Sequence, residues 1–127
     1  MSKESYTKLT LADLIAKKEQ ARNAKKQPLR KELYIESLGG TITVEEPNRN
    51  VLTDSVNLDE KGQAYMVFQC CVDPCLKSSE LMEGIAEPDT IVHMLFKPGE
   101  ISFISNFCLE MAGFKEGSVR LVDSLKN

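Results

Sequence analysis

The sequence of 127 residues lacks tryptophan, contains a single histidine and is only 6% aromatic. It has no apolar run near the ~20 residues that a membrane-spanning helix requires, and its first residues do not form the charged and apolar regions of a signal peptide. These absences predict a soluble protein that is neither secreted nor inserted into a membrane. The 42% of hydrophobic residues suffices for the core of one modest domain.

Side chains suited to catalysis or metal binding are scarce. With His93 as the only histidine, few schemes of acid–base or nucleophilic catalysis remain. The cysteines include no Cys-x-x-Cys pair, and Pro74 should break a helix between Cys71 and Cys75, which argues against a zinc site. We therefore predict no catalytic residue, no metal ligand and no cofactor, and interpret the cysteines as buried apolar side chains. An enzymatic function would have to use these cysteines together with His93.

The charge of the chain is unevenly distributed. Residues 1–31 contain nine Lys or Arg against three acidic residues, a net charge of +6, whereas residues 32–127 contain seven against sixteen, a net charge of −9. Such a division is typical of a solvated Lys-rich helix, of a basic arm that meets an acidic partner or nucleic acid, and of head-to-tail contacts between copies. Apart from Tyr6, the basic segment has no aromatic residue among its Lys and Arg. It also has no helix-turn-helix pattern, which makes nucleic acid the less favoured partner.

The N-terminal segment is predicted to form a helix that has little to bury. Thr10 and Asp13, three residues apart, are suited to its N-terminal cap, and Pro28 ends it. Between residues 17 and 26 the sequence is polar, with good helix propensity but almost no apolar side chain. The apolar positions of the first turns, which share one face of the helix, are Leu11, Leu14 and Ile15. We predict that these three residues, together with the open hairpin that follows, form the contact with a partner or with a neighbouring copy.

A β-hairpin is the clearest local feature of the next segment. Gly39-Gly40 tolerates the positive φ angles of a two-residue turn, which would place Ile35 opposite Val44. A lone hairpin is only marginally stable in water, so its apolar face must lie on helices or on another chain. Both edges of the hairpin are expected to remain open. The side chains of the apolar face are Leu33, Ile35, Ile42 and Val44.

The rest of the chain is predicted to form short helices separated by Gly and Pro. Asn48 is a candidate N-cap, and Pro88 suits a first helical position. The run Ala64–Val72 is almost continuously apolar, and we predict a buried helix because no neighbouring strand offers it a partner. The last strong helix runs from Pro98 to Ala112 and should be central to the core. Its apolar stripe contains Ile101, Ile104, Cys108 and Met111, with Phe103 and Phe107 alongside.

The predicted fold is therefore α+β and mostly helical, with an N-terminal helix, one β-hairpin and a compact bundle of short helices. We expect residues 1–31 to form a basic N-terminal arm and residues 32–127 to form a single domain. Within this domain the hairpin spans residues 32–46, the helical bundle spans residues 48–114, and a short tail follows.

Several segments, taken in their order, resemble a known family. They are the basic helix LTLADLIAKKEQARNAKK, the hairpin KELYIESLGGTITVEEP, the segment CCVDPCLKSSEL and the run EPDTIVHMLFKPGEISFISNFCLEMAGF. Together with the helix from Val51, they resemble the XkdN-like phage tail assembly chaperones of tailed phages and defective prophages of Gram-positive bacteria. None of these segments is a catalytic motif, so the resemblance lies in their order and spacing, and it covers most of the chain.

The resemblance implies a non-catalytic assembly factor in the cytoplasm of the bacterial host. Its partners would be the tape measure protein, whose apolar helices it keeps from aggregating, and the tail tube protein, which it helps to recruit. Self-association of the chain is a further candidate contact. The family has no motif of binding residues, so no site residue is transferred from it. The alternative, based on the charge pattern, is a small phage or prophage regulator whose basic arm binds nucleic acid.

Overall fold

The computed structural model describes residues 6–24 and 27–122. These residues form five α-helices and a three-stranded antiparallel sheet, which confirms the predicted α+β class with mostly helical content. The helices are α1 (Leu11–Asn23), α2 (Arg49–Asn57), α3 (Gly62–Cys70), α4 (Pro88–Leu95) and α5 (Pro98–Met111). The strands are β1 (Arg30–Ile35), β2 (Gly40–Glu45) and β3 (Cys71–Asp73).

Two helices begin at the caps that the sequence predicts. At α1, the Asp13 N–H donates to Thr10 Oγ1 at 3.1 Å, and the Thr10 N–H donates to Asp13 Oδ2 at 2.8 Å. At α2, the Asn48 side chain accepts a hydrogen bond from the Val51 N–H at 2.9 Å. Each bond satisfies a backbone donor that the start of a helix leaves without an intrahelical partner. Local side-chain chemistry therefore decides where these two helices start.

The hairpin of β1 and β2 has a different register from the predicted one. Ile35 pairs with Gly40 and not with Val44, because residues 36–38 coil into a 3-10 turn that Gly39 closes at φ 67°. The loop is thus longer than the predicted two-residue turn. Since the pairing shifts by an even number of residues, the predicted apolar face still points to the core. Its buried residues are Ile35, Ile42 and Val44, and Leu33 packs against them.

The third strand, β3, is a correction to the sequence analysis. The run Ala64–Val72 is expected to be one helix, but α3 ends at Cys70 and the chain continues as a strand in which Cys71 pairs with Val44. A continuous apolar run has no period that separates a buried helix from a buried strand. The strand order is β1-β2-β3. The expectation that both hairpin edges stay open is therefore wrong, since β3 covers β2, while β1 lies at an edge of the sheet.

The core is one cluster of buried side chains from the sheet and the helices that follow it. α3 is its central helix, since it packs against α2, α4 and α5, and Met66 and Val67 are almost fully buried. The predicted stripe of α5 contributes Ile101, Ile104 and Cys108. Two expectations for this helix are wrong, because Met111 is only half-buried and Phe103 is exposed. At ~1.5–3 kcal/mol for each large apolar side chain, this cluster supplies most of the driving force for folding.

Gly62 allows α2 and α3 to approach each other closely. A Cβ atom at this position would collide with the backbone carbonyl of Ser55. The Ser55 hydroxyl donates to the Gly62 carbonyl oxygen at 3.0 Å, and the Tyr65 hydroxyl donates to Asp54 Oδ2 at 3.2 Å. Although no residue of α2 is buried, these contacts hold the helix against α3.

Candidate functional site

The three predicted contact residues lie on an exposed side of α1. Leu11, Leu14 and Ile15 are 74%, 54% and 48% exposed, and no residue of α1 is buried. Their spacing of three and four residues places them side by side on the helix. α1 ends at Asn23, before Pro28, and positions 25 and 26 of the predicted helix lie outside the described residues. Because nothing in the described part of the chain covers this stripe, it is open to a partner.

The same side of α1 becomes basic toward its C-terminal end. Lys18 follows Leu11, and Arg22 follows Ile15, by seven residues, which is about two helical turns. Both basic residues are exposed, and Arg22 lies 3.9 Å from Glu19. We call this surface, apolar in its first half and basic in its second, the α1 face. It is defined by Leu11, Leu14, Ile15, Lys18 and Arg22.

A groove of about 430 Å³ lies between β1 and the first turns of α5. We call it the β1–α5 groove. Its apolar lining combines inward side chains with two aromatic residues, Tyr34 and Phe103, which are 66% and 65% exposed. The inward apolar side chains are Leu33, Ile35 and Ile104. The charged lining residues are all acidic, namely Glu32, Glu36 and Glu100.

Sequence reasoning did not find this groove. The alternation of the hairpin places Tyr34 on the face away from the core, as observed, but the helical spacing places Phe103 alongside the buried stripe of α5. Neither pattern indicates which helix lies beside β1, because that depends on the tertiary packing. An outward aromatic residue in a strand was the one available signal.

Glu100 links the hairpin loop to the start of α5. Its Oε1 atom accepts hydrogen bonds from the Lys97 N–H at 2.9 Å and from the Ser37 hydroxyl at 3.0 Å. Both bonds lower the pKa of the Glu100 carboxyl, and the bond from the Lys97 N–H has the larger effect. The acid is therefore ionised at neutral pH. It keeps one side of the β1–α5 groove negative and holds the loop against the helix.

The cysteines and the histidine lie in different environments. Cys70, Cys71 and Cys108 are buried, whereas Cys75 and His93 are exposed. The neighbouring Cys108 thiol and, to a smaller extent, burial raise the pKa of the Cys70 thiol. Burial raises the pKa of the Cys71 thiol to about 11. Because the thiolate is the nucleophile, these two thiols are inert at neutral pH. Over the described ranges, no group of three or more His, Cys, Asp or Glu side chains could hold a metal ion.

A second depression, of about 880 Å³, lies where β2 leads into α2. Its lining contains both polar and apolar residues. One of its acidic residues, Glu45, is already paired with Arg30 at 2.9 Å. We assign no chemistry to it.

None of the helices that the structure describes is long and apolar enough to span a bilayer.

Comparison with known proteins identifies a family. A family model described as phage XkdN-like tail assembly chaperone protein matches residues 25–126. The matched range starts after α1, so it does not include the basic helix with which the resemblance is expected to begin. No curated protein and no solved structure shows a significant similarity to the chain. Because the match extends over every strand and over α2 to α5, which together form the core, the chain belongs to the XkdN-like family of phage tail assembly chaperones.

Proposed function

We propose that this chaperone binds the tape measure protein during tail assembly, keeps its apolar helices from aggregating and helps to recruit tail tube subunits, all in the cytoplasm of the bacterial host. The observation that carries the proposal is the exposed apolar stripe Leu11, Leu14 and Ile15 on a helix without a buried residue. α1 lies outside the residues that match the family, so the support for this contact is the exposure of the stripe and not the family match.

A tape measure helix with its own apolar stripe would pack against the α1 face in a helix-to-helix contact. Burial of a large apolar side chain contributes ~1.5–3 kcal/mol, so three of them supply several kcal/mol against the cost of association. The resulting complex is expected to be reversible. Reversibility suits an assembly factor, because the partner must later be released into the tail.

We propose that residues 1–31 serve as an arm on the domain of residues 32–127. All the buried core residues among the described positions belong to the domain. The arm ends inside the first strand, since Arg30 already pairs with Glu45 in the sheet. An arm of this kind would let several chaperone copies line up along one long partner while their cores remain folded.

We further propose that the protein acts by contact and catalyses no reaction. Raised thiol pKa values at Cys70 and Cys71 support this, and so does the contrast between the exposed His93 and these two buried cysteines. A chaperone of this kind needs surfaces that hide apolar segments, and α1 provides such a surface.

The test is co-purification of the tape measure protein from cells that express it together with this chain. The double variant Leu11→Asp, Leu14→Asp should lose the tape measure protein from the complex, because two charges would then have to be buried at the contact. Circular dichroism of the purified variant should match that of the wild type, since neither residue is part of the core.

Val56→Asp is the control, because Val56 is an apolar residue that is 75% exposed on α2, and the variant adds a negative charge outside the α1 face. It should co-purify the tape measure protein at the wild-type level. Undiminished co-purification by the double variant would rule out the α1 stripe as the contact.

A further inference from the structure

We propose that the β1–α5 groove receives the α1 face of a second copy of this chain. The inference goes beyond the proposed function and does not depend on it, because both surfaces belong to the chain itself. No residue of the chain's own α1 lines the groove. α1 therefore does not cover the groove of its own molecule, and both surfaces are open to another copy.

The apolar parts of the two surfaces match. In the groove, Tyr34 and Phe103 expose most of their side-chain surface beside the half-buried Leu33. On α1, the stripe of Leu11, Leu14 and Ile15 is also exposed, by about half or more of each residue's surface. Docking would remove both apolar patches from water at once, which is the main source of association free energy between proteins.

The charged parts match as well, and they are of opposite sign. The groove carries Glu32, Glu36 and Glu100, whereas the α1 face carries Lys18 and Arg22. Across the described residues, Glu32, Glu36 and Lys18 have no ion-pair partner. A helix whose face is first apolar and then basic therefore meets a groove with an apolar lining and an acidic rim, which is the complementarity that selects one partner.

The length of α1 is a further argument for an occupant from another molecule. It has 13 residues, and an isolated helix of ~12–15 residues is only marginally stable in water. With no buried residue, α1 gains little helical stability from packing within its own molecule. Docking in the groove of a neighbour would supply the missing tertiary contact.

The contact would join different surfaces of two copies, so each copy would keep one free groove and one free α1 face. Such head-to-tail contacts close into rings or continue as open chains. Because the same apolar stripe serves in the proposed contact with the tape measure protein, a bound tape measure segment would compete with the second copy.

Sedimentation velocity of the purified full-length chain tests the proposal, with two charge-reversed variants. The helix variant is Lys18→Glu, Arg22→Glu, and the groove variant is Glu32→Lys, Glu36→Lys. The wild type should self-associate as its concentration rises, and less so at high salt, because salt screens the charged rim. Either variant alone should weaken association by about tenfold or more, since attraction becomes repulsion.

Mixing the two variants should restore association, because the basic helix of the groove variant can dock in the acidic groove of the helix variant. Rescue on mixing also shows that both variants are folded. Glu80→Lys, Glu83→Lys is the control with the same charge change on exposed positions outside the groove, and it should associate like the wild type.

Three outcomes would overturn the proposal. A wild type that stays monomeric at every concentration would show that no second copy occupies the groove. Docking of α1 in the groove of its own molecule would give this result. Association that survives both variants would place the contact elsewhere. Variants that fold by circular dichroism but fail to associate when mixed would show that the α1 face and the groove do not meet.

Discussion

α1 and α5 have similar hydrogen bonds at their N-termini, but α1 is exposed whereas α5 is part of the core. In each, an acidic residue at the third helical position accepts a hydrogen bond from the N-cap N–H, Asp13 from Thr10 at 2.8 Å and Glu100 from Lys97 at 2.9 Å. Their lengths are 13 and 14 residues. No residue of α1 is buried, whereas four residues of α5 are.

The comparison separates what starts a helix from what holds it in place. A cap is a bond between residues three positions apart, so it forms wherever the local sequence allows. Burial needs an apolar stripe that continues over several turns and a neighbour that covers it. The stripe of α1 stops at Ile15, while that of α5 continues to Cys108. α5 is therefore part of the core, and α1 is left for contacts with another polypeptide.

The largest expected difference between the two helices is in the free energy of unfolding. Ile104→Ala in α5, where the side chain is 1% exposed, should destabilise the protein by about 2–5 kcal/mol, because it leaves a cavity in the core. Leu14→Ala in α1 should change the free energy of unfolding by less than about 0.5 kcal/mol. Urea denaturation of the monomeric protein measures both. Equal losses would show that α1 is packed in the folded subunit.

A smaller effect is expected from two helical glycines. Gly62→Ala in α3 should cost about 1–3 kcal/mol, because the new Cβ meets the Ser55 carbonyl and forces α2 away. Gly99→Ala in α5 meets nothing within 4 Å and should be neutral or stabilising by up to about 1 kcal/mol. The midpoints of thermal unfolding should shift in opposite directions or, for Gly99, not at all. A Gly62→Ala variant that is as stable as the wild type would contradict the close packing of α2 on α3.

The smallest effect is the dependence of stability on pH. Hydrogen bonds lower the pKa of Glu100 from its ordinary value of 4.5, and those from Thr10 lower that of Asp13. A carboxyl with a lowered folded-state pKa stabilises the protein above its unfolded-state pKa, and this contribution disappears as the pH falls through the folded-state value. In Glu100→Gln, the free energy of unfolding should therefore fall less steeply below about pH 4.5.

Asp13→Asn is the matched variant for that measurement. Its carboxyl is bound within α1, whose helix has no buried residue, so the pH dependence of global unfolding should stay as in the wild type. Chemical denaturation over a series of pH values compares the two variants. A fall in the free energy of unfolding at low pH that is as shallow for Asp13→Asn as for Glu100→Gln would mean that α1 unfolds together with the core.

The features that local sequence could predict are the starts of helices and the sides of strands. The Asn48 cap, Pro88 at the start of α4 and the helix from Pro98 agree with the structure within a residue or two. The apolar face of the hairpin is also correct even though its register is not, because alternation in a strand survives an even shift. The exposure of Leu11, Leu14 and Ile15 follows in the same way from a stripe that stops early.

The sequence by itself determined which side of each helix and strand is apolar, and hence which sides must be shielded from water. Only the tertiary structure decided that Cys71 leaves the helix to pair with Val44, and that Phe103 stands beside β1. These outcomes depend on residues far apart in the chain, whose meeting no local period encodes. The β1–α5 groove exists for that reason, whereas the stripe of Leu11, Leu14 and Ile15 follows from the spacing of its residues alone.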